Sequence, residues 1–363
     1  VLSANSSWYL FNFRKNFISK LIQYNFEVVC LSPFDGFEED LKKIGAETLN
    51  LKIKQHSFNP FDEVLVLINL FNYLKKSKPI ILLNFTPKNN IYGTFVARLL
   101  GIKVINNISG LGRVFSENNF LSKIVKQMYK YSQRHANHIF FQNKDDHKLF
   151  SKLGLQEKSS SILPGSGVDL EHFRPSYKNS SNHFIMISRL LPEKGVFHYV
   201  EAAKYFKKNN IHSMKFKLLG MIDNNPKNII NLELVKSWEK QGFLEYLGEA
   251  KDVESYINDA SCIVLPSYYS EGTPKSLLEG LACGKPIITT DNTGCRDVVD
   301  DGENGFLCKK NSTESLITVL LKFIELSSKD KINMSLKSRA KAEKIYDEQI
   351  IIKEYLDKID SLI

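Results

Sequence analysis

Two glutamates that bracket a short predicted helix, Glu271 and Glu279, are well placed to bind a polar ligand. Glu271 lies in the loop before the helix, and Glu279 follows about two turns into it, near the same face. The N–H groups that residues 272–275 offer, apart from Pro274, lie at the helix start, where the helix dipole favours negative charge. The carboxylates can therefore accept hydrogen bonds from sugar hydroxyls while the amides hold a diphosphate. The spacing alone is also common in helices that bind nothing.

Two cations, Arg189 and Lys194, stand between a predicted strand at 183–187 and a predicted helix at 196–208. An arginine and a lysine that reach one point at a helix start can offset the charge that grows on a departing diphosphate. Taken singly, each is also an ordinary surface cation. The prediction therefore depends on both residues together.

The elements around the two glutamates follow a strand, loop, helix and strand pattern. Apolar runs predict strands at 262–265 and 287–290, with a helix at 276–283 between them. Thr273 is predicted to cap this helix, and Pro274 suits its first position because proline has no N–H to leave without a partner.

Strands and helices alternate along the rest of the chain, which predicts parallel α/β sheets. In such sheets, ligands bind at the carboxyl ends of the strands. No G-x-G-x-x-G is present near the first strand, which argues against a dinucleotide-binding dehydrogenase. Among the predicted helices are 11–23, 60–76, 91–100, 119–135, 147–153, 228–241 and 335–362.

Loops after strands of the first half carry polar residues that could contact a second ligand. Taken one at a time, they are also ordinary βα turns with surface charges. These residues are Asn5 and Ser6, then Lys88 and Tyr92, then Ser109, Gly110 and Arg113.

The run Glu-Gly-Thr-Pro-Lys-Ser-Leu-Leu-Glu-Gly-Leu-Ala-Cys-Gly-Lys-Pro-Ile at 271–287 closely resembles the E-x7-E signature of family-4 retaining glycosyltransferases of the GT-B fold. Thr-Pro-Lys at 86–88, Ser-Gly-Leu-Gly at 109–112 and Pro-Gly-Ser-Gly-Val at 164–168 resemble segments of a bacterial subgroup. That subgroup, which includes N-acetylgalactosaminyl- and galactosyltransferase-like members, extends polyprenyl-diphosphate-linked saccharides. The resemblance covers nearly the whole chain and is strongest over 161–308.

The resemblance implies an α/β fold with two Rossmann-like domains that face each other across a cleft. It implies an N-terminal acceptor-binding domain at 1–176 and a C-terminal nucleotide-sugar-binding domain at 177–340, joined by a linker over 177–182. A last helix, 341–363, would cross back to the first domain.

The resemblance also implies roles for residues of the second domain. Glu271 would contact donor-sugar hydroxyls and Glu279 the ribose hydroxyls, while Arg189 and Lys194 stabilise the departing nucleoside diphosphate. Glu271, Arg189 and Lys194 are thereby the expected catalytic residues. Further donor-binding residues are expected to be Gly167, Gly220, Leu247, Gly248, Gly272, Thr273, Pro274, Lys275 and Ser276. The polar residues after the first-half strands would bind the acceptor.

Many members of this family carry a histidine in the loop near 107–109, and this chain has none there. No general base is therefore assigned. No Asp-x-Asp pair is placed at a strand end, so we expect no metal and no other cofactor, with the nucleotide sugar as a substrate.

The activity implied by the resemblance is retaining transfer of an N-acetylhexosamine or hexose from a UDP-sugar to a polyprenyl-diphosphate-linked saccharide, in cell-surface polysaccharide or glycan assembly. One alternative is a transferase of the same fold that acts on a small soluble acceptor. Another is a catalytically silent nucleotide-sugar-binding subunit, which the missing histidine keeps open.

The positive charge is concentrated in the first half. Residues 1–180 hold 24 Lys and Arg against 14 Asp and Glu, whereas residues 181–363 hold 25 against 26. The first half should therefore meet an anionic partner. A nucleic acid is not expected, because this half lacks spaced exposed aromatic residues on which bases would stack.

The helix predicted at 119–135 combines apolar and basic residues at helical spacing. This pattern fits either a core-facing helix with a solvated side or a helix that lies on an anionic bilayer. No apolar run of eighteen residues is present, so we expect no segment to span a membrane. The resemblance to the subgroup implies an acceptor on the cytoplasmic leaflet, so we expect a cytoplasmic protein, peripheral on the inner face of the cell membrane. The apolar residues are Phe120, Leu121, Ile124, Val125 and Met128, and the basic ones are Lys123, Lys126, Lys130 and Arg134.

The five cysteines are scattered, odd in number and free of any C-x-x-C motif. They are predicted to be buried thiols in a reducing compartment, without a zinc site. Because Val1 is not a methionine, we expect a few residues to precede it.

Overall fold

The computed structural model describes residues 1–53, 59–110, 120–154, 159–176, 182–223 and 228–363. These residues form two compact units, one made of Val1–Leu163 with Ile351–Ile363 and the other of Pro164–Ile350. The domain bounds given above from the sequence stay a prediction.

The first unit is built on a parallel sheet. Its strands in the described ranges are β1 (Leu2–Ser3), β2 (Val29–Ser32), β3 (Glu47–Asn50), β4 (Ile81–Asn84), β5 (Lys103–Ile108), β6 (His138–Phe141) and β7 (Ser160–Ile162). Their order is β3-β2-β1-β4-β5-β6-β7. The helices are α1 (Ser7–Gln23), α2 (Glu38–Lys43), α3 (Pro60–Ser77), α4 (Pro87–Leu100), α5 (Phe120–Gln133) and α6 (Lys144–Lys152).

Helices cover both faces of this sheet. Successive residues of each strand point to opposite faces, so each strand contributes to two cores. In β5, Ile105 joins a core that includes Phe140 and residues of α1. Val104 joins the core on the other face, with residues of α3 and α4. Buried apolar residues on both faces explain why the strands read as short continuous apolar runs.

The second unit is also a parallel sheet with helices. Its described strands are β8 (His183–Ile187), β9 (Lys215–Leu219), β10 (Glu245–Tyr246), β11 (Cys262–Leu265), β12 (Ile287–Thr290) and β13 (Gly305–Cys308), in the order β10-β9-β8-β11-β12-β13. The helices are α7 (Val196–Lys208), α8 (Leu232–Lys240), α9 (Glu254–Asp259), α10 (Lys275–Ala282), α11 (Thr313–Glu325) and α12 (Ser328–Lys341). The strand order reverses between β8 and β11, which is where open α/β sheets bind ligands.

The prediction of one long helix over 335–362 is wrong. Helix α12 is followed by a π-helical turn, Ala342–Tyr346, and a new helix, α13 (Glu348–Asp360). The helix is interrupted because the backbone there bonds to Val168 instead: the Val168 N–H donates to the Tyr346 carbonyl at 2.8 Å, and the Glu348 N–H donates to the Val168 carbonyl at 3.1 Å.

The last helix packs on the first unit, to which Ile351–Ile363 belong. The Tyr355 ring lies 4.9 Å from the Phe17 ring and 4.6 Å from the Phe140 ring, centroid to centroid. The prediction that the last helix returns to the first domain is therefore confirmed.

Several predicted helix starts were misplaced because capping residues were overlooked. Helix α6 begins at Lys144 rather than 147, since Asn143 accepts a hydrogen bond from the Asp146 N–H. Helix α8 begins at Leu232 rather than 228, since Asn231 caps it in the same way. The prediction of buried thiols is confirmed, because all five cysteines are buried and none is in a disulfide.

Candidate active site

The start of α10 differs from the prediction by one residue. Pro274 is the N-cap and the helix begins at Lys275, so the predicted capping role of Thr273 is wrong. Thr273 instead packs beside Gly165, where an added Cβ would lie 2.8 Å from the Thr273 Cβ. Gly165 has a φ of +68° and Gly167 a φ of +74°, so the glycine-rich segment 164–168 closely approaches the loop before α10.

Lys194 and Glu271 form an ion pair at the carboxyl edge of the second sheet. The Lys194 Nζ lies 2.5 Å from the Glu271 Oε1, and the Ser267 hydroxyl donates to the same oxygen at 3.0 Å. The two charged side chains are only 16% and 10% exposed. Residues 77 positions apart thus meet in one partly buried polar cluster.

Backbone contacts explain how Lys194 reaches Glu271. The Tyr268 and Tyr269 N–H groups donate to the Glu193 carbonyl at 2.9 and 3.1 Å, which ties the turn before α7 to the loop after β11. Gly195 has a φ of +83°, and an added Cβ there would lie 2.1 Å from the Pro266 carbonyl oxygen. A residue with a side chain could not allow this approach.

Arg189 leaves the end of β8, as predicted, and its guanidinium lies 3.7 Å from the Asp223 carboxylate. Its side chain is half exposed, unlike that of Lys194. The sequence analysis missed Asp223, although its position just after β9 places it at the ligand-binding edge of the sheet.

Glu279 lies in α10 and is buried, with 8% of its surface exposed. Burial raises the pKa of its carboxyl above the usual value, while Lys275, 4.0 Å away, and His172 act in the opposite direction. A buried carboxylate of this kind can accept hydrogen bonds from ligand hydroxyls, as predicted for ribose.

The ends of β8, β9 and β10 bring together Gly220, Leu247 and Gly248 of the predicted donor residues. The Gly220 N–H donates to the Gly248 carbonyl at 2.8 Å, and the Leu247 N–H donates to the Leu218 carbonyl at 2.9 Å. At Gly220 an added Cβ would lie 1.7 Å from the Ser188 carbonyl oxygen. The backbones at the three strand ends therefore pack closely together, which would suit contact with the edge of a planar nucleotide base.

In the first unit, predicted acceptor residues lie at the carboxyl edge of the sheet. Ser6 is the N-cap of α1 and accepts a hydrogen bond from the Tyr9 N–H at 3.1 Å. Asn5 follows β1 and is partly exposed, and Ser109 and Gly110 follow β5. The predicted residue Arg113 lies outside the described residues.

Lys88 and Tyr92 lie in the first turns of α4, beside an acid that the sequence analysis missed. The Lys88 Nζ lies 2.5 Å from the Glu63 Oε1, and the two side chains are only 14% and 15% exposed. Tyr92 is 9% exposed. Glu63 could have been noticed as an acid in the first turn of the helix after β3.

Helix α5 buries both polar side chains and Tyr129 of the hydrophobic core, and it exposes several apolar residues. Ser122, Tyr129, Ser132 and Gln133 are buried, and Gln133 accepts a hydrogen bond from Asn106 of β5 at 2.7 Å. Tyr129 also joins the hydrophobic core beneath the helix, and Val125 of the predicted apolar stripe packs against that core. The core-facing alternative therefore holds for part of the stripe, whereas its other described residues are exposed on the side that carries Lys123; the side chain of Leu121 is not among those described. The exposed apolar residues are Phe120 at 80%, Ile124 at 42%, Met128 at 37% and Tyr131 at 49%.

Two absences among the described residues bear on partners. No helix in these ranges is both long and apolar enough to span a membrane. In the same ranges, no three His, Cys, Asp or Glu side chains form a group that could hold a metal ion.

Two Rossmann-like units, with a charged cluster at a helix start after β11, define a glycosyltransferase of the GT-B class. The family model of group 1 glycosyl transferases matches residues 168–343, and that of the glycosyl transferase 4-like family matches residues 1–143. The chain belongs to this family of glycosyltransferases. The predicted family, fold class and transferase activity are thereby confirmed.

Two relatives are similar over most of their length. N,N'-diacetylbacillosaminyl-diphospho-undecaprenol α-1,3-N-acetylgalactosaminyltransferase of Campylobacter jejuni is 29% identical, over 98% of this chain and 96% of the relative. UDP-Gal:α-D-GlcNAc-diphosphoundecaprenol α-1,3-galactosyltransferase of Escherichia coli is 30% identical, over 82% of this chain and 78% of the relative.

Solved structures share the fold. HepE of Anabaena, in complex with UDP and glucose, superposes with a TM-score of 0.80 at 14% identity, over 99% of this chain and 98% of that one. A glycosyltransferase from Rickettsia africae gives a TM-score of 0.79 at 16% identity, over 99% and 97%.

Proposed function

We propose that this chain transfers an N-acetylhexosamine or hexose from a UDP-sugar to a polyprenyl-diphosphate-linked saccharide, with retention of configuration, during assembly of a cell-surface polysaccharide or glycan. The names of the two relatives support this proposal, since both describe transfer to a saccharide on diphospho-undecaprenol. The observation that carries it is the Lys194–Glu271 pair at the start of α10.

The donor would bind with its diphosphate at the helix start. Lys194 has three N–H donors and gives one to Glu271, so it can also donate to a phosphate oxygen. The N–H groups of Gly272, Thr273 and Lys275 and the helix dipole add positive potential there, and Arg189 lies at a neighbouring strand end. These groups would stabilise the charge on the leaving UDP.

Glu271 would then accept hydrogen bonds from donor-sugar hydroxyls, and Glu279 from the ribose. The base would lie against the backbone of Gly220, Leu247 and Gly248. The acceptor hydroxyl attacks the anomeric carbon on the face from which UDP departs: the new C–O bond forms, the C–O bond to the phosphate breaks, and the hydroxyl proton passes to the leaving phosphate oxygen. This route retains configuration without a protein nucleophile.

The acceptor would bind to the first unit, whose net charge suits a diphosphate. Asn5, Lys88, Tyr92 and Ser109 lie at the edge where parallel sheets bind ligands. Ser6 would contribute through its backbone, because its hydroxyl caps α1.

The proposal includes docking of the first unit on the anionic inner leaflet, from the cytoplasm. Exposed apolar residues with Lys123 on α5 fit an interfacial helix. The Phe95 ring of α4 lies 6.0 Å from the Tyr131 ring of α5, so α4 continues this surface. Helix α3, which packs beside α4, adds further exposed apolar residues: Phe61, Val64, Leu65 and Ile68.

The proposal is tested by incubating the full chain with a panel of nucleotide sugars, in EDTA, with either a polyprenyl-diphosphate disaccharide or the same disaccharide in free form. Transfer from a uridine donor to the lipid-linked form is expected, without added metal. Transfer to the free form alone would favour a small-acceptor enzyme. Tight donor binding without any transfer would favour a silent subunit.

A further inference from the structure

The turn that follows β12, at residues 291–295, packs against the loop at 266–274 that carries Glu271 and is called the donor loop below. The turn is compact, because the Cys295 and Arg296 N–H groups donate to the Asn292 carbonyl at 3.1 and 3.0 Å. Asn292 is only 5% exposed. No residue of this turn is among those predicted to bind the donor, so its contact with the donor loop needs an explanation.

Side chains from the end of β12 and from this turn bind carbonyl oxygens of the donor loop. The Asn292 side-chain amide donates to the Tyr269 carbonyl at 2.7 Å. The Thr290 hydroxyl donates to the Ser267 carbonyl, and the Ser267 hydroxyl donates to the Glu271 Oε1 at 3.0 Å. The donor loop is therefore held by its carbonyl oxygens from the side on which β12 and its turn lie.

Gly294 approaches two further carbonyl oxygens of the donor loop. Its φ is +74°, and an added Cβ would lie 2.2 Å from the Gly272 carbonyl oxygen and 2.7 Å from the Glu271 carbonyl oxygen. A residue with a side chain could not combine this conformation with this approach. Two successive carbonyl groups of the donor loop are therefore turned towards Gly294.

The direction of these carbonyl groups fixes the direction of two N–H groups. In a trans peptide bond the carbonyl and the N–H of the next residue point in opposite directions. The Glu271 carbonyl is paired in this way with the Gly272 N–H, and the Gly272 carbonyl with the Thr273 N–H. Both N–H groups therefore point away from the turn after β12, and successive N–H groups on one side of the backbone form a concave site for an anion.

We propose that Asn292 and Gly294 are positioning residues for the donor diphosphate. They hold the carbonyl oxygens of the donor loop away from the phosphates, and thereby direct the Gly272 and Thr273 N–H groups towards them. This inference rests on the proposed function and adds two residues that act through the donor loop, without contact to the donor. A carbonyl oxygen turned towards the phosphates would repel them, so binding of the diphosphate depends on the turn after β12.

The test compares the affinities of the wild type and Gly294→Ala for UDP and for uridine, measured by calorimetry on the full chain. The new Cβ forces the Gly272 carbonyl to move, which turns the Thr273 N–H away from the phosphates. Hydrogen bonds to a charged group are lost, so the affinity for UDP should fall about 10- to 100-fold. The affinity for uridine, which has no phosphate, should stay within about threefold of the wild-type value.

Asn292→Asp is the second variant, which keeps the test valid if Gly294→Ala does not fold. An ionised aspartate has nearly the same shape as asparagine but only accepts hydrogen bonds, so it repels the Tyr269 carbonyl that the asparagine binds. The affinity for UDP should fall about tenfold, again with little change for uridine.

Two control variants separate this result from a general loss of stability. Gly302→Ala matches Gly294→Ala, because Gly302 has a φ of +81° but no atom within 4 Å of an added Cβ. Asn304→Asp matches Asn292→Asp, because the buried Asn304 side chain donates to the Val298 carbonyl at 3.0 Å. Both controls should lower the free energy of unfolding and leave the affinities for UDP and uridine unchanged.

The outcomes separate this inference from the proposed function. Sugar transfer by the wild type, together with UDP affinities of the test variants within threefold of the wild-type value, would overturn the inference alone. Equal losses of UDP and uridine affinity would overturn it too, because they would indicate general damage to the site. A wild type that binds no UDP would overturn the donor assignment, and the role of this turn with it.

Discussion

At the scale of single residues, the two glutamates of the E-x7-E run have different environments. Glu271 forms an ion pair with Lys194, with 2.5 Å between the Lys194 Nζ and the Glu271 Oε1. Glu279 is buried, and Lys275 is its nearest ion-pair partner, at 4.0 Å. A cation in direct contact stabilises a carboxylate, whereas burial with a distant cation does not. Glu279 is therefore an acid whose charge costs stability.

We predict that Glu279→Gln is at least as stable as the wild type at neutral pH but binds the donor more weakly. The raised pKa means that the folded state binds this proton more tightly than the unfolded state. Stability from this group is therefore present at low pH and is lost as pH rises from about 4.5 through the folded pKa. Urea unfolding measured from pH 4 to 8 should show that the free energy of unfolding falls less with rising pH in the variant than in the wild type.

The same variant should raise donor KM about tenfold, because an amide replaces a charged acceptor for the ribose hydroxyls. A variant that is less stable than the wild type at pH 8, with unchanged donor KM, would contradict this view of Glu279.

At the scale of elements, the sequence predicts most strands and helices correctly because their apolar runs are short and separated by polar turns. The start of α10 was predicted within one residue. The break between α12 and α13 was missed, because the bonds that cause it come from Val168, far away in sequence. The sequence left two alternatives open for α5, because which side of this helix packs against the sheet depends on tertiary contacts.

The candidate site was predictable only in part. The motif around Glu271 identifies the donor residues, but the pairing of Lys194 with Glu271 depends on two loops that meet in space. Glu63 was missed because its partner Lys88 lies 25 residues away on another helix. Which side chains contact each other depends on the tertiary fold, and the spacing of residues along the sequence does not show it.

We predict that Gly195→Ala destabilises the chain more than Gly302→Ala. Both glycines have positive φ, +83° and +81°, which costs an alanine about 1–2 kcal/mol. At Gly195 the new Cβ would also lie 2.1 Å from the Pro266 carbonyl oxygen, whereas at Gly302 nothing lies within 4 Å. Guanidinium unfolding of both variants measures the difference between their free energies of unfolding.

Gly195→Ala should also weaken donor binding, because the turn that carries Lys194 must move. Equal free energies of unfolding for the two variants would show that the approach of Gly195 to Pro266 does not constrain the fold.

At the scale of the whole molecule, the excess of positive charge and the largest group of exposed apolar helix residues both belong to the first unit. The exposed residues of α5 can enter a bilayer interface while Lys123 contacts anionic headgroups. Burying such side chains in lipid contributes about 0.5–1 kcal/mol for each of them when more than half of the side chain is already covered.

We predict that Ile124→Gln/Met128→Gln lowers binding to vesicles containing anionic phospholipid about 5- to 30-fold, without changing the affinity for UDP. The matched control is Ile332→Gln/Leu336→Gln, which alters two similarly spaced residues of α12 that are 61% and 60% exposed. Vesicle cosedimentation measures both. Equal binding by the two double variants would mean that α5 is not the docking surface.

The most direct test of the central claim compares wild type and Glu271→Gln in transfer of sugar from a UDP-sugar to a polyprenyl-diphosphate disaccharide, with UDP affinity measured in parallel. Glu271 is proposed to contact the donor sugar, so kcat/KM should fall at least about 100-fold while UDP, which lacks the sugar, binds within about threefold of the wild-type affinity. A Glu271→Gln variant that transfers sugar as fast as the wild type would contradict the claim.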